Sequence, residues 1–199
     1  IKLIHISTDY VFDGSKLASY DETDNTSPLN VYGKTKLDGE NAILSIMELN
    51  AIIIRTSWVY SEHGNNFVNT ILILSQKKDK LNIISDQTGS PTNAKDLAGA
   101  IVSIINNKKF NETDTLSEVF HYANDGECSW YDFAKEIVSL SGTKCIISPI
   151  DSKDYPQKAL RPKYVLMDKR KIQDYFGLEI HFWADSLKSC IKDLSASSN

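Results

Sequence analysis

Lys2-Leu-Ile-His-Ile-Ser-Thr-Asp-Tyr10, followed after a polar interval by Pro28-Leu-Asn-Val-Tyr-Gly-Lys-Thr-Lys-Leu-Asp-Gly-Glu40, is the stretch that decides the fold. Lys2–Ser7 is a short apolar run closed by polar residues, which predicts a buried parallel strand with Thr8 at its end. Pro28 sits near a helix start, and the apolar spacing predicts a helix over Val31–Leu49 with Leu37, Ala42, Leu44 and Leu49 on roughly one side. Tyr32 and Lys36, four apart, then share one helical face. A tyrosine left alone titrates near ~10 and rarely exchanges a proton at neutral pH. An ammonium beside it favours the phenolate and makes the phenol a usable proton donor or acceptor. Thr8, Tyr32 and Lys36 meeting at the carboxyl end of a strand are what carbonyl–alcohol interconversion needs. The pair alone says little, since lysine at that spacing is commonly a solvated helix flank. The order strand, Ser-Thr-Asp-Tyr, polar loop, helix is what gives it meaning.

Outward from this unit the same alternation continues. Thr8–Asn30 is polar and acidic and reads as a long loop. Ala51–Arg55 is a second apolar strand, and Phe67–Ser75 is a helix that Asn65 or Asn66 can cap. Leu81–Ile84 is a strand, Asp86–Pro91 is turn chemistry, and Thr92 or Asn93 can cap a helix over Ala94–Ile105. Strands are expected at Val119–Tyr122 and Cys145–Ile150. Between them Ser129-Trp-Tyr-Asp132 resembles a capping box opening a helix over Trp130–Leu140. Two more helices are expected, Asp168–Phe176 stopped by Gly177 and Ala184–Leu194. Strands alternating with helices indicate an α/β domain with a mainly parallel sheet. No internal repeat is visible, and low complexity is limited to the Ser195–Asn199 tail.

Composition narrows the function classes. The 199 residues are 41% apolar and 24% charged, with net charge −4 and no basic run, which argues against nucleic acid as the main partner. The longest apolar stretches are too short to span a bilayer, and Ile1–Ile6 reads as a strand, not a signal peptide. Cys128, Cys145 and Cys190 are odd in number and widely spaced, as expected of reduced, packed thiols in a cytoplasmic protein. No cluster has metal-ligand spacing. His5 and His121 lie in apolar strand patterns and read as packed side chains.

Carbonyl reduction needs a hydride source, and a dinucleotide fold grips the cofactor pyrophosphate on a glycine-rich strand-to-helix turn. Glycines 14, 33, 39 and 64 have neither the G-x-G-x-x-G nor the G-x-x-G-x-x-G spacing. The expectation is therefore a fragment that holds the proton-donating half of such a fold, with little or no activity alone. Its Lys2–Ser7 strand would present an open sheet edge.

Six ordered blocks carry a resemblance: Ser7–Gly14, Pro28–Glu40, Arg55–Tyr60, Gly64–Val68, Asp86–Thr92, and Arg161-Pro162 leading to Asp168. Together they resemble the dTDP-4-dehydrorhamnose reductase family of extended short-chain dehydrogenase/reductases, over almost the whole chain. The resemblance implies the C-terminal part of a Rossmann-type doubly wound parallel sheet plus a small α/β substrate-binding lobe. Residues 1–85 would belong to the NAD(P)-binding domain and 86–194 mainly to the substrate lobe, with some elements returning, before a 195–199 tail. It implies reduction of the C4 ketone of dTDP-4-dehydro-6-deoxy-L-mannose to dTDP-L-rhamnose with NADPH or NADH, by a monomer or homodimer. Mg²⁺ is associated with some members, with no site assignable in this sequence.

Carried over residue by residue, Tyr32 protonates the alkoxide, Lys36 holds the nicotinamide ribose, and Thr8 hydrogen-bonds the carbonyl oxygen. Ser7, Arg55, Thr56 and Ser57 join Tyr32 and Lys36 beside the cofactor. Asp9, Tyr10 and Trp58 line the sugar site, and Asn66 and Arg161 contact the dTDP moiety. One position departs from the pattern: Val165 stands where the family commonly has serine after the Arg-Pro pair. A related nucleotide-sugar epimerase or dehydratase is an alternative, although Thr8 is followed by Asp9-Tyr10 and lacks the Asp-Glu pair a dehydratase uses. A non-catalytic subunit like the regulatory subunit of methionine adenosyltransferase is another.

Overall fold

The computed structural model describes residues 1–156 and 159–197. In chain order the elements are β1 (Leu3–Thr8), α1 (Val31–Ile46), β2 (Ala51–Thr56), β3 (Val59–Tyr60), α2 (Phe67–Ser75), β4 (Lys80–Ile84), β5 (Thr88–Gly89), β6 (Thr92–Asn93) and α3 (Ala94–Asn106). They continue with α4 (Lys108–Asn111), β7 (Glu118–His121), β8 (Cys128–Ser129), α5 (Trp130–Ser141), β9 (Ile146–Ile150), β10 (Tyr164–Val165), α6 (Arg170–Phe176) and α7 (Trp183–Ser197).

The main sheet is parallel, in the order β1-β2-β7, with Thr8 opposite Thr56 and Arg55 opposite His121. β2 is central and buried along its whole length, which is why it reads as an unbroken apolar run. β1 is less buried and, among the described residues, pairs on one side only. Ile52, Ile54 and Phe120 of the sheet pack with Leu97 and Ile104 of α3 and Ile172 and Phe176 of α6. A second core joins Val68 and Ile71 of α2, Phe133 and Ile137 of α5, and Trp183 and Leu187 of α7. Between them Val11, Phe12, Tyr20, Val165 and Met167 form a smaller cluster. The architecture is the expected α/β arrangement built on a parallel sheet.

Several boundaries differ from the expectation, each for a local reason. α1 ends at Ile46, not Leu49: Met47 already leaves helical geometry at φ −116° and ψ 82°, and Leu49 bridges to Leu116 before the chain passes through Asn50 at φ 72°. Its inward stripe is Gly33, Leu37, Glu40 and Leu44, while Ala42 is exposed. Asp168 does not open α6; its carboxylate accepts the Arg170 N–H at 2.9 Å just before the helix. α7 carries on through residues 195–197 of the expected tail, and 198–199 lie outside the described residues. Val165 is a buried core residue of β10, so the departure from serine is filled by packing. The capping box at Ser129 and Asp132 is present. All three cysteines are unpaired and buried; burial pushes the Cys190 thiol up to about 11. No helix among the described residues is long and apolar enough to cross a membrane.

Candidate active site

β1 delivers Ser7 and Thr8, both nearly fully buried, to its carboxyl end, the end at which open α/β sheets bind ligands. The chain then tightens into one 3-10 turn, Asp9–Val11, which Thr8 caps. The Thr8 hydroxyl accepts the Tyr10 N–H at 3.2 Å and donates to Asp9 Oδ1 at 3.0 Å. α1 begins behind an Asn30 cap that accepts the Gly33 N–H at 2.8 Å. It rests directly on this turn, since a Cβ at Gly33 would stand 2.2 Å from the Tyr10 carbonyl oxygen. That contact sets Tyr32 over the strand end, with its ring edge-to-face on Tyr10 at 5.8 Å. The Lys36 ammonium donates to the Ile6 carbonyl at 2.6 Å.

These groups line one cleft of about 410 Å³, which also takes in Thr56, Trp58, Trp130 and Arg161. Tyr32 is 55% exposed, so its phenol is open to a ligand. Trp58 holds a left-handed backbone at φ 48°, uncommon for a bulky residue. It is clamped between Gly89, where a Cβ would come within 3.0 Å of the indole, and Trp130, stacked at 3.6 Å. Arg161 lines this cleft and two neighbours: an aromatic pocket of about 440 Å³ beside Phe67 and Tyr155, and one of about 660 Å³ beside Gly14 and Gln87.

Burial pushes the Asp9 carboxyl up to about 7, against the opposing pull of the Thr8 hydroxyl, backbone N–H groups and the Arg161 charge. Burial also raises the Tyr10 phenol, opposed by Arg161. Below the cleft His121 is fully buried against Phe12. Burial first, then the Arg55 charge, hold its imidazole down to about 3. The folded protein therefore keeps His121 neutral while the unfolded chain takes up the proton below about 6.5. Stability is full above that value and falls as pH drops toward about 3, by up to about 1.4 kcal/mol per pH unit. Relative to His121→Leu, the wild type is expected to lose about 2–3 kcal/mol between pH 7 and pH 4.5 in urea unfolding. A constant difference between the two proteins over that range rejects this role.

Nine of the sequence-derived site residues line the cleft: Ser7, Thr8, Asp9, Tyr10, Tyr32, Lys36, Thr56, Trp58 and Arg161. Three do not. The Arg55 side chain turns away to Glu40 of α1, with Nε at 3.1 Å and Nη2 at 2.7 Å from its carboxylate. Arg55 sits in register with Ser7, whose hydroxyl also reaches Glu40, so both side chains lie on that side of the sheet. Ser57 instead donates to the Ser90 carbonyl at 2.6 Å. Asn66 caps α2 by accepting the Asn69 N–H at 3.1 Å and donates to the Ser61 and His63 carbonyls, leaving its amide little capacity for a ligand. Trp130, which lines the cleft, was legible only as the first residue after a helix cap. Among the described residues no group of three or more His, Cys, Asp or Glu side chains is placed to hold a metal ion.

Comparison with known proteins gives the family. The chain is 38% identical over 195 residues to a dTDP-4-dehydrorhamnose reductase of Sinorhizobium fredii, covering 96% of this chain and 66% of the relative. A dTDP-4-dehydrorhamnose reductase structure from Clostridium acetobutylicum superposes with a TM-score of 0.89 at 37% identity, covering 98% of this chain and 66% of that one. One from Bacillus anthracis, solved in complex with NADP, also gives 0.89, at 34% identity over 96% of this chain and 66% of that one. The chain thus spans slightly under two thirds of the length of these relatives. The family model described as the RmlD substrate binding domain matches residues 1–196, and with the cleft above it establishes that the chain belongs to that family.

Proposed function

We propose that the protein containing this chain reduces the C4 ketone of dTDP-4-dehydro-6-deoxy-L-mannose to dTDP-L-rhamnose, with NADPH or NADH as donor. The observation that carries the reading is the convergence of Thr8, Tyr32 and Lys36 on one cleft at the carboxyl end of β1. The cleft suits a nicotinamide riboside: the Ile6 and Thr56 strand ends wall it, and Lys36 has three donors of which Ile6 takes one. What the cofactor supplies when bound is a hydride for C4. Tyr32 gives its phenolic proton to the oxygen as charge develops there. Lys36, anchored on the Ile6 carbonyl, holds the ribose hydroxyls with its remaining donors. Thr8 supplies a hydrogen bond at the same oxygen, where aimed donors count most. The stacked Trp58 and Trp130 form a wall for the hexose. Arg161, between the cleft and the aromatic pocket, suits a pyrophosphate, which a guanidinium grips with two parallel hydrogen bonds.

Residues 1–85 then act as the catalytic part of a nucleotide-binding domain. Most of 86–194 forms the substrate lobe, with α3, β7 and α6 returning to the main sheet. The protein would work in the cytoplasm as a monomer or homodimer. The test is turnover of the keto sugar with NADPH by the full-length protein carrying this chain, followed by loss of reduced-cofactor absorbance. Wild type is expected to be active and Tyr32→Phe at least about 10²-fold slower, the low end for loss of a general acid. An inactive wild type, or an equally active Tyr32→Phe, rejects the reading.

A further inference from the structure

We propose that Asp9 is a positioning residue that sets the direction in which Thr8 presents its hydroxyl proton. When ionised it holds that proton inward, and when protonated it frees the proton for a carbonyl oxygen in the cleft. The inference rests on the reductase reading above for its substrate.

A hydroxyl has one proton to give. In this structure Thr8 gives it to Asp9 Oδ1 at 3.0 Å, while its oxygen accepts the Tyr10 N–H at 3.2 Å. A carboxylate can only accept, so an ionised Asp9 competes directly with the substrate oxygen for the Thr8 proton. A protonated carboxyl reverses the bond: it donates to Thr8 Oγ1, and the hydroxyl turns its own proton to the ligand. The chain Asp9–Thr8–carbonyl then runs in one direction, and hydrogen bonds in such a chain polarise one another.

The surroundings suit this switch. Asp9 is 4% exposed, and among the described residues it makes no ion pair. Arg161, on the segment before β10, is exposed and acts on Asp9 without pairing with it. Tyr32 and Lys36 face the same cleft from α1, and Tyr10 adjoins Asp9 on its own turn. From β2 and the segment after it, Thr56 and Trp58 bring no charge. A buried carboxyl without a cation favours its neutral form, and burial pushes this one up to about 7. Both states are therefore within reach of neutral pH.

Profiles of kcat/KM against pH, measured on the full-length protein with the keto sugar and NADPH, test the idea. Such profiles report ionisations of the free enzyme. Wild type is expected to lose about tenfold per pH unit above a neutral inflection. Asp9→Asn, whose amide can donate to Thr8 at every pH, is expected to lack that inflection whatever its plateau. The same inflection in Asp9→Asn overturns the proposal. Carbon NMR titration of the Asp9 carboxyl gives a second arm that does not need turnover, so that an inactive wild type rejects the function and not this proposal. A step near neutral pH is expected, moved upward in Thr8→Val because the hydroxyl no longer stabilises the carboxylate. Titration in the ordinary carboxylate range, or no movement in Thr8→Val, overturns it.

Discussion

Glu40→Ala is expected to lower the melting temperature by roughly 10 °C, from a loss of about 3–5 kcal/mol at about 2–4 °C per kcal/mol for a domain of this size. Glu40 lies on the inward stripe of α1 with Gly33, Leu37 and Leu44, and is 1% exposed. Its carboxylate binds Nε and Nη2 of Arg55, itself 5% exposed, and accepts the Ser7 hydroxyl. The Arg55 guanidinium also lies over the Phe12 ring at 5.2 Å. Removing Glu40 strands a buried cation that water cannot reach and leaves the Ser7 hydroxyl without its acceptor. The pair is not thereby a large net stabiliser, because taking both charges out of water costs several kcal/mol per ion. The Glu40→Met, Arg55→Met double variant is therefore expected to melt above Glu40→Ala, with an apolar pair of similar volume in place of the ions. Circular-dichroism melts of the three proteins decide it. A Glu40→Ala protein that melts within about 1 °C of wild type would sink the account, being far short of the loss expected for a broken buried pair.

This ion pair also marks where reading the sequence stopped short. The strand Lys2–Ser7, the helix behind Pro28 and the Tyr32–Lys36 spacing are legible because each depends on neighbours within a few residues. The step from Lys36 to Glu40 has the same spacing as Tyr32 to Lys36, so the signal was there. An acid on a helix face otherwise reads as solvated, and only the register of Arg55 opposite Ser7 reveals its partner. The resemblance brings Arg55 and Ser57 to the cofactor with Thr56, whereas their side chains are taken up by Glu40 and by the Ser90 carbonyl. One Asn66 amide, which caps α2 and donates to the Ser61 and His63 carbonyls, has little left for the ligand contact the resemblance implies. The two-residue strands Val59–Tyr60, Thr88–Gly89 and Thr92–Asn93 were illegible for a different reason. Two residues have no period, and such strands exist only through distant partners.

Gly33→Ala and Gly39→Ala, a matched pair on one helix, are expected to move stability in opposite directions. Both sit inside α1, where alanine is favoured over glycine by about 1 kcal/mol on backbone entropy and solvation. At Gly39 nothing lies within 4 Å of the added Cβ, so the substitution should stabilise by roughly 0.5–1 kcal/mol. At Gly33 the Cβ would stand 2.2 Å from the Tyr10 carbonyl oxygen and 2.9 Å from its carbon. The obstructing atoms are backbone, held in a turn that Thr8 caps and that the strand end anchors. They cannot swing aside as a side chain would, so the helix must retreat by about 1 Å to restore an ordinary van der Waals separation. A shift of that size outweighs the propensity gain and carries Tyr32 away from Thr8. Misplacing a catalytic group by about 1 Å can cost about 10²-fold in rate. Gly33→Ala is thus expected to melt below wild type and to lose about 10²-fold in kcat, with Gly39→Ala melting slightly higher and keeping its turnover. If Gly33→Ala instead melts above wild type with normal turnover, α1 does not rest on the Tyr10 carbonyl, and the contact that sets Tyr32 over the strand end must lie elsewhere.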